Sequence, residues 1–339
     1  MNKNINVLSL FDGISTGLIA LKELGYKPNY YAAEIEEGAI SVAMYNHPEI
    51  VQLGDVTKVS YQLGNFCIKE WSDNLKLEIT KPKYKVPSGI DLLIGGSPCN
   101  QLSSLHNTRD GLKGKDSGLF YDFVRLKEET NPKYFLLENV KMKKHDQDEI
   151  TKLLGVEPIN INSSLVSAQL RNRLYWTNIP NIIPPEDKHI RFQDIIESGY
   201  VNRDKSNCVT ESMSRQCATD AGVRRYMMGF GQLVFESQEE YEKMIGVTEE
   251  DRINYSKKMR SLSKIKNLNE HIEIPKTRLL TPNEVEILQT LPKDYTNIKE
   301  LYYSSKGYNK RRGDMKRISL CGEGWTKDII VHILKNMEF

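Results

Sequence analysis

Apolar positions in the first half of the chain fall into short runs separated by amphipathic stretches. Ile5–Leu10, Asn29–Glu34, Val51–Leu53, Ile90–Ile94 and Tyr134–Leu137 read as strands. A glycine-containing turn, Phe11–Gly17, leads into a helix through Leu24. Glu36–Asn46, closed by Pro48, and Gly118–Glu129 also carry helical spacing. Repeated alternation of this kind predicts an α/β fold, a doubly wound and mostly parallel sheet with helices on both faces. Leu165–Val166 and Leu174–Trp176 are candidates for later strands. From about Asn178 to Pro275 the periodicity is poor, with Pro180, Pro184 and Pro185 at the entry. Only Gly229–Phe235 offers a strand pattern there. Helical spacing returns at Pro282–Leu291 and Trp325–Asn336. The predicted organisation is a catalytic and cofactor-binding domain over 1–178, a smaller irregular domain over 179–277, and a segment over 278–339 that returns to the first domain.

Length changes this picture little: 339 residues make one large domain or two at roughly 100–200 residues each. No apolar run reaches the ~18 residues of a membrane span. Met1–Leu10 lacks the pattern of a secretory signal, so a cytoplasmic location is expected. The formal net charge of +2 neither demands nor excludes a polyanionic partner. Its distribution says more. An acidic run, Glu236–Asp251, precedes the cations Arg252, Lys257, Lys258, Arg260, Lys264 and Lys266. A second basic cluster is Lys306, Lys310, Arg311, Arg312, Lys316 and Arg317. Such clusters match a phosphate backbone, although on charge alone solvated helix faces explain them better. The five cysteines, Cys67, Cys99, Cys208, Cys217 and Cys321, are odd in number and include no CxxC pair. Neither a disulfide framework nor a metal site is expected.

Five segments carry candidate chemistry. Leu8–Gly17 (LSLFDGISTG) is a strand, a turn with Gly13 and Gly17, and a helix start, the physics of a nucleotide-type cofactor loop. Glu34, about twenty residues further on, is placed to accept from ribose hydroxyls; a helix-start acid is the plainer alternative. Asp55, in GDV, is a candidate for the cofactor's adenine or an exposed loop acid. Gly95–Ser104 (GGSPCNQLSS) presents Cys99 in a polar loop after the fourth strand, where a thiolate would be accessible. Glu138 ends the fifth strand in LLENV, and a cysteine and a glutamate at two strand ends make a nucleophile–acid pair. In QLRNRLYW, Gln169, Arg171 and Arg173 alternate, so an extended strand would set all three on one face.

FDGISTG, the acid of AAEI, GDV, GGSPCN, ENV and QLRNR, in this order and spacing, resemble the C5-cytosine DNA methyltransferases. The match extends to Leu279–Pro292 (LLTPNEVEILQTLP) and Ser319–Ile330 (SLCGEGWTKDII), leaving out the irregular stretch of about 100 residues. The spelling FDGISTG, Asn100 after Cys99 and Trp325 in GEGWT are similar to the animal de novo enzymes, and without their regulatory domains the chain resembles a bacterial or phage version. The resemblance implies a Rossmann-like methyltransferase fold, S-adenosylmethionine as cofactor and double-stranded DNA as partner. It implies transfer of a methyl group to carbon 5 of a flipped cytosine, for restriction-modification or phage DNA protection; a monomer is expected, with an oligomer left open.

By the same resemblance, Cys99 attacks carbon 6, Glu138 bonds ring nitrogen 3, Arg173 holds the cytosine carbonyl and Arg171 stands near the flipped nucleotide. Implied cofactor contacts are Phe11, Asp12, Gly13, Ser15, Thr16, Gly17, Glu34, Ile35, Asp55, Val56, Ser97, Pro98, Leu119, Glu323, Gly324 and Trp325. Ser103–Ser117 resembles a mobile loop that closes over DNA, and the irregular domain a target-recognition domain. The connection from Val56 to Gly89 is longer than in many relatives, and Glu323 stands where others carry different polar residues. A transfer-RNA cytosine methyltransferase shares the motifs, but an insert this large favours DNA. A catalytically silent accessory subunit would lack the nucleophile or the acid, and this chain keeps both.

Overall fold

From Ile5 to Leu10 every side chain of the first strand is buried, and continuous burial of that kind requires cover on both faces of a sheet. The computed structural model describes residues 4–72, 77–98, 117–210, 232, 234–262 and 275–339. It divides into two compact units, one of Met1–Asn162, Asn172–Pro185 and Lys327–Phe339, the other of Ser163–Arg171 and Glu186–Thr326.

The first unit begins β1 (Asn4–Leu10), α1 (Thr16–Glu23), β2 (Lys27–Ala33), α2 (Glu37–Asn46) and β3 (Val51–Gln52). An antiparallel meander follows: β4 (Val59–Gln62), β5 (Asn65–Ser72) and β6 (Leu77–Lys85). The chain continues through β7 (Leu92–Gly95), α3 (Phe120–Thr130), β8 (Tyr134–Val140), α4 (Lys144–Leu154), β9 (Ile159–Asn162) and β10 (Asn172–Thr177). Seven strands form one sheet in the order β3-β2-β1-β7-β8-β10-β9. The first five in that order run parallel, and β10 is antiparallel to both of its neighbours.

This is the predicted doubly wound sheet. Strand order reverses between β1 and β7, so the crevice at their carboxyl ends is the place where such folds bind ligands. The seam is tight: a Cβ at Gly95 would lie 3.0 Å from Phe123 Cδ2 and 3.1 Å from the Leu10 carbonyl. The connection predicted to be merely long is the meander, and its Val59, Phe66 and Ile68 enter the core shared with Leu8, Leu93, Phe123 and Leu137. The final helix, α9 (Lys327–Leu334), packs on α1, and Phe339 sets its ring against Tyr26 and Tyr134.

The second unit has a small sheet, β11 (Tyr200–Val201), β12 (Val234–Phe235) and β13 (Thr277–Arg278). Its helices are α5 (Gln238–Ile245), α6 (Glu249–Leu262), α7 (Pro282–Leu288) and α8 (Lys310–Glu323), with the hairpin β14 (Tyr303–Ser304) and β15 (Gly307–Tyr308) before α8. The start of α7 was legible in the sequence: Thr281 and Glu284 form a capping box, and Pro282 takes a first-turn position that needs no N–H. Residues 278–326 cluster with 186–262 rather than with the sheet, because β13 pairs with β12 and α7 packs on α8. Of the predicted strand Gly229–Phe235, β12 is the described portion; residues 229–231 and 233 lie outside the described residues. Leu165–Val166, predicted as a strand, instead forms the end of a 3-10 turn at Ser163–Leu165 and the turn residue after it. Among the described residues no helix is long and apolar enough to cross a membrane.

Candidate active site

The carboxyl edge of the large sheet gathers several of the predicted residues. After β1 the backbone takes left-handed conformations at Phe11, Gly13 and Ser15, with φ of 55°, 56° and 59°. Only Gly13 adopts this without side-chain strain. The turn is held from within. Asp12 accepts hydrogen bonds from the hydroxyls of Ser9 at 2.5 Å, Tyr30 at 2.7 Å and Ser15. Loss of solvent around this carboxylate outweighs the three donors and pushes its pKa up to about 6. Tyr30 carried no signal in the sequence beyond its strand position, although its hydroxyl completes the Asp12 site.

Glu34 braces the same turn. Its Oε2 accepts from the Gly13 N–H at 2.8 Å, and its Oε1 accepts from the N–H groups of Ile35 and Glu36 at 2.8 and 2.9 Å. Three of about four acceptor positions of a carboxylate are therefore occupied. Ile35, next to it, is 71% exposed, an unusual place for a large aliphatic side chain. Asp55 accepts from the N–H and hydroxyl of Thr57 through Oδ1 and starts a 3-10 turn. Val56 points into the apolar core. Thr16, in the first turn of α1, is 3% exposed, and its hydroxyl has no hydrogen-bond partner among the described residues. Leaving such a group unsatisfied costs about 1–3 kcal/mol. A partnerless hydroxyl, an exposed isoleucine and a turn open to backbone approach fit a nucleoside-bearing cofactor at this edge. Gly17 is buried in α1, and Leu119 packs its side chain on the core from the 3-10 turn before α3.

Glu138 and Arg173 come together. β8 and β10 are antiparallel, with Tyr175 opposite Glu138 and Arg173 opposite Val140. Arg173 thus lies diagonally across from Glu138 on the same face, and its Nε meets Glu138 Oε1 at 2.9 Å. Both side chains are largely buried, which makes the pair a fixed donor–acceptor unit rather than a solvated contact. One residue on, Asn139 donates from Nδ2 to the Ser97 hydroxyl at 3.0 Å and to the Ser97 carbonyl at 3.3 Å. Asn139 and Ser97 are 1% and 5% exposed. The segment that follows β7, through Ser97 and Pro98, is thereby fastened to the end of β8. Asn139 received no role from the sequence, though a buried polar residue at a strand end was the available signal. Cys99 and the loop residues 103–116 lie outside the described residues.

Arg171 is placed differently from the expectation that Gln169, Arg171 and Arg173 share one strand face. β10 starts only at Asn172, so the alternation breaks there. Gln169 and Arg171 belong to the second unit and are buried in it. Arg171 donates to the carbonyls of Val209 at 3.0 Å and Gly324 at 2.7 Å. Glu323 and Gly324 end α8, with Trp325 after them, all in the second unit. Among the described residues no group of three or more histidines, cysteines and carboxylates is placed to hold a metal ion. Among the described residues, Cys67, Cys208 and Cys321 form no disulfide.

With this geometry in hand, the comparison with known families is specific. The model of the C-5 cytosine-specific DNA methylases matches residues 5–154. The match takes in less than half of this chain. The matched stretch runs from β1 through α4 and contains Cys99 and Glu138. The chain is similar to an orphan methyltransferase of Bacillus phage SPR, 29% identical over 212 residues, 58% of this chain and 43% of that protein. It is also similar to a DNA (cytosine-5)-methyltransferase of Arabidopsis thaliana, 34% identical over 125 residues, 37% of this chain and 18% of that protein. The chain thus matches less than half the length of these relatives. Among solved structures, a methyltransferase of Entamoeba histolytica shares the fold with a TM-score of 0.61 at 14% identity, covering 98% of both chains.

Proposed function

We propose that the chain is a DNA (cytosine-5-)-methyltransferase that uses S-adenosylmethionine, with Cys99 as a covalent nucleophile. The main support is the Glu138–Arg173 pair, set by strand register beside the Asn139–Ser97 clamp on the segment leading to Cys99. Carbon 5 of cytosine is a poor nucleophile. The Cys99 thiolate adds to carbon 6, forming a C–S bond and driving the ring's electron pair toward carbon 5. Glu138 at ring nitrogen 3 and Arg173 at the carbonyl oxygen take up the charge that develops, an electrostatic stabilisation of the transition state. S-adenosylmethionine, when bound, supplies the electrophilic sulfonium methyl that carbon 5 accepts. A proton then leaves carbon 5 to solvent, the electron pair re-forms the ring double bond, and the thiolate departs. Extruding the base from the duplex costs a few kcal/mol.

In the same reading, Thr16 and the braced turn of Asp12 and Glu34 hold the cofactor, and the second unit reads the target sequence. The phage relatives favour protection of DNA, with or without a companion endonuclease. The test is Cys99→Ser. Tritiated methyl transfer to duplex DNA should fall to background while cofactor affinity by calorimetry stays within about threefold. Full activity in that variant refutes the nucleophile. A duplex containing 5-fluorocytosine should trap a covalent adduct with the parent protein, and transfer RNA offered in its place should not be methylated.

A further inference from the structure

The second basic cluster separates once its partners are known. Arg317 is buried against Glu286 at 2.9 Å, and Lys310 pairs with Asp314 at 2.6 Å. Lys306, Arg311 and Arg312 are exposed and form no ion pair with a described residue. The β14–β15 hairpin lies among them. Tyr303 and Tyr308 are 48% and 58% exposed, with ring centroids 5.4 Å apart. Lys299 places its Nζ 5.3 Å from the Tyr303 ring.

This surface is built. Tyr302 and Tyr308 stack with centroids 5.9 Å apart and planes 17° from parallel. Tyr302 lies so close to α8 that a Cβ at Gly313 would come within 2.1 Å of its Cδ1. The Tyr302 hydroxyl accepts from Arg317 and donates to Asp314, and its carbonyl accepts from the Asn309 N–H at 2.8 Å. A glycine inside a helix costs about 1 kcal/mol of helix stability. Three consecutive cations, Lys310, Arg311 and Arg312, with no acid in the first turn of α8, repel one another. The glycine is explained by the Tyr302 ring it admits, whereas the run of cations does not help this unit fold. Two half-exposed phenols ringed by unpaired cations complement a polyanion whose oxygens accept hydrogen bonds at regular spacing.

We propose that the β14–β15 hairpin and the adjoining turn of α8 grip the phosphate backbone of duplex DNA, independently of base sequence. The inference rests on the DNA-methyltransferase reading above. Arg311 and Arg312 make charge-assisted bonds to phosphate oxygens, Lys306 adds charge at the hairpin tip, and the Tyr303 and Tyr308 hydroxyls donate to the same strand. A second copy of the chain is a poorer fit, because a two-fold contact would set these cations against themselves.

The test uses the full chain and fluorescence anisotropy with a labelled mixed-sequence duplex of about 30 base pairs, over a series of salt concentrations. Arg311→Ala combined with Arg312→Ala should weaken binding roughly tenfold at physiological salt. It should lower the slope of log affinity against log salt by about two, near one per lost phosphate contact. Tyr303→Phe combined with Tyr308→Phe keeps the stack and should lose a smaller factor, about threefold, with the slope unchanged. Thermal melting should match the parent in both. If the parent binds duplex and traps 5-fluorocytosine DNA but the arginine variant keeps parental affinity and slope, the grip is wrong and the methyltransferase reading stands. If the parent neither binds nor traps DNA, both fall. Loss of a dimer in sedimentation, with DNA affinity intact, overturns the grip in favour of self-association.

Discussion

The two units are held together by different chemistry. In the first, Leu8, Leu10, Leu93, Phe120, Phe123, Leu137 and Trp176 are essentially fully buried, and polar groups collect at strand ends. In the second, charges and amides are part of the interior. Glu286 and Glu284 are fully buried, paired with Arg317 at 2.9 Å and Arg278 at 2.6 Å. Gln169 joins Gln289 at 2.9 Å, and Thr326 joins Gln289 and Ser163 at 3.0 and 2.8 Å. Apolar contact is non-directional and tolerates local adjustment. A buried ion pair fixes orientation and penalises the loss of either partner. The first unit therefore concentrates its specific geometry at one edge, and the second distributes it through its core.

Breaking that contrast is most direct at Glu286. Glu286→Ala strands the Arg317 guanidinium in a dry interior, and the second unit should lose about 3–5 kcal/mol, read as lost amide-exchange protection in α7 and α8. Replacing both partners by Leu and Met should recover most of it. A single variant as stable as the parent would mean that the pair is idle. A smaller effect, of a different kind, is expected at Asn139. Asn139→Ala removes two hydrogen bonds to Ser97 without opening the sheet. Single-turnover methyl transfer should slow roughly tenfold while KM for DNA and the melting temperature hold; a proportional loss of stability instead would make Asn139 a packing residue.

The smallest effect is one of slope, at Asp12. Its pKa is near 6 in the fold against 3.8 in a free chain, so the folded state keeps the proton better. The stabilising share from this group is complete below pH 4 and disappears as pH rises through 6. Asp12→Asn should remove that share of the slope in urea unfolding series between pH 4 and 7. Parallel curves for variant and parent would show that Asp12 does not titrate there.

What was legible in the sequence follows the same division. β1, β2, β7 and β8 lie inside or near their predicted ranges, because strands buried on both faces are read as unbroken apolar runs. The meander escaped notice. Its edge strand β6 is exposed along most of its length, so Leu77–Lys85 has no buried face to impose an alternation. α4 was hidden by its charges: the inward positions are Asp146, Ile150 and Leu154, one of them an acid. α8 was read only as a basic cluster on a solvated helix face, since Arg317 counts as surface charge until Glu286 is seen beneath it.

Glu138 and Arg173, which strand register brings into contact, were singled out from spacing and resemblance. The role of Asn139 was not, because a clamp between two strand exits depends on their adjacency in the sheet. Arg171 was misplaced for a related reason. Alternation along QLRNR assumes one continuous strand, and the chain leaves the second unit between Arg171 and Asn172.

That exit has a consequence for how such proteins diversify. The second unit is assembled from two pieces of chain, 163–171 and 186–326. Exchanging only the long piece between homologues would leave Gln169 and Arg171 inherited from one parent facing carbonyls and amides from the other. Shuffling of the second unit therefore needs a matched nine-residue passenger, carried inside the first unit's stretch of sequence, and recombination at a single pair of junctions should yield misfolded hybrids more often than stable ones.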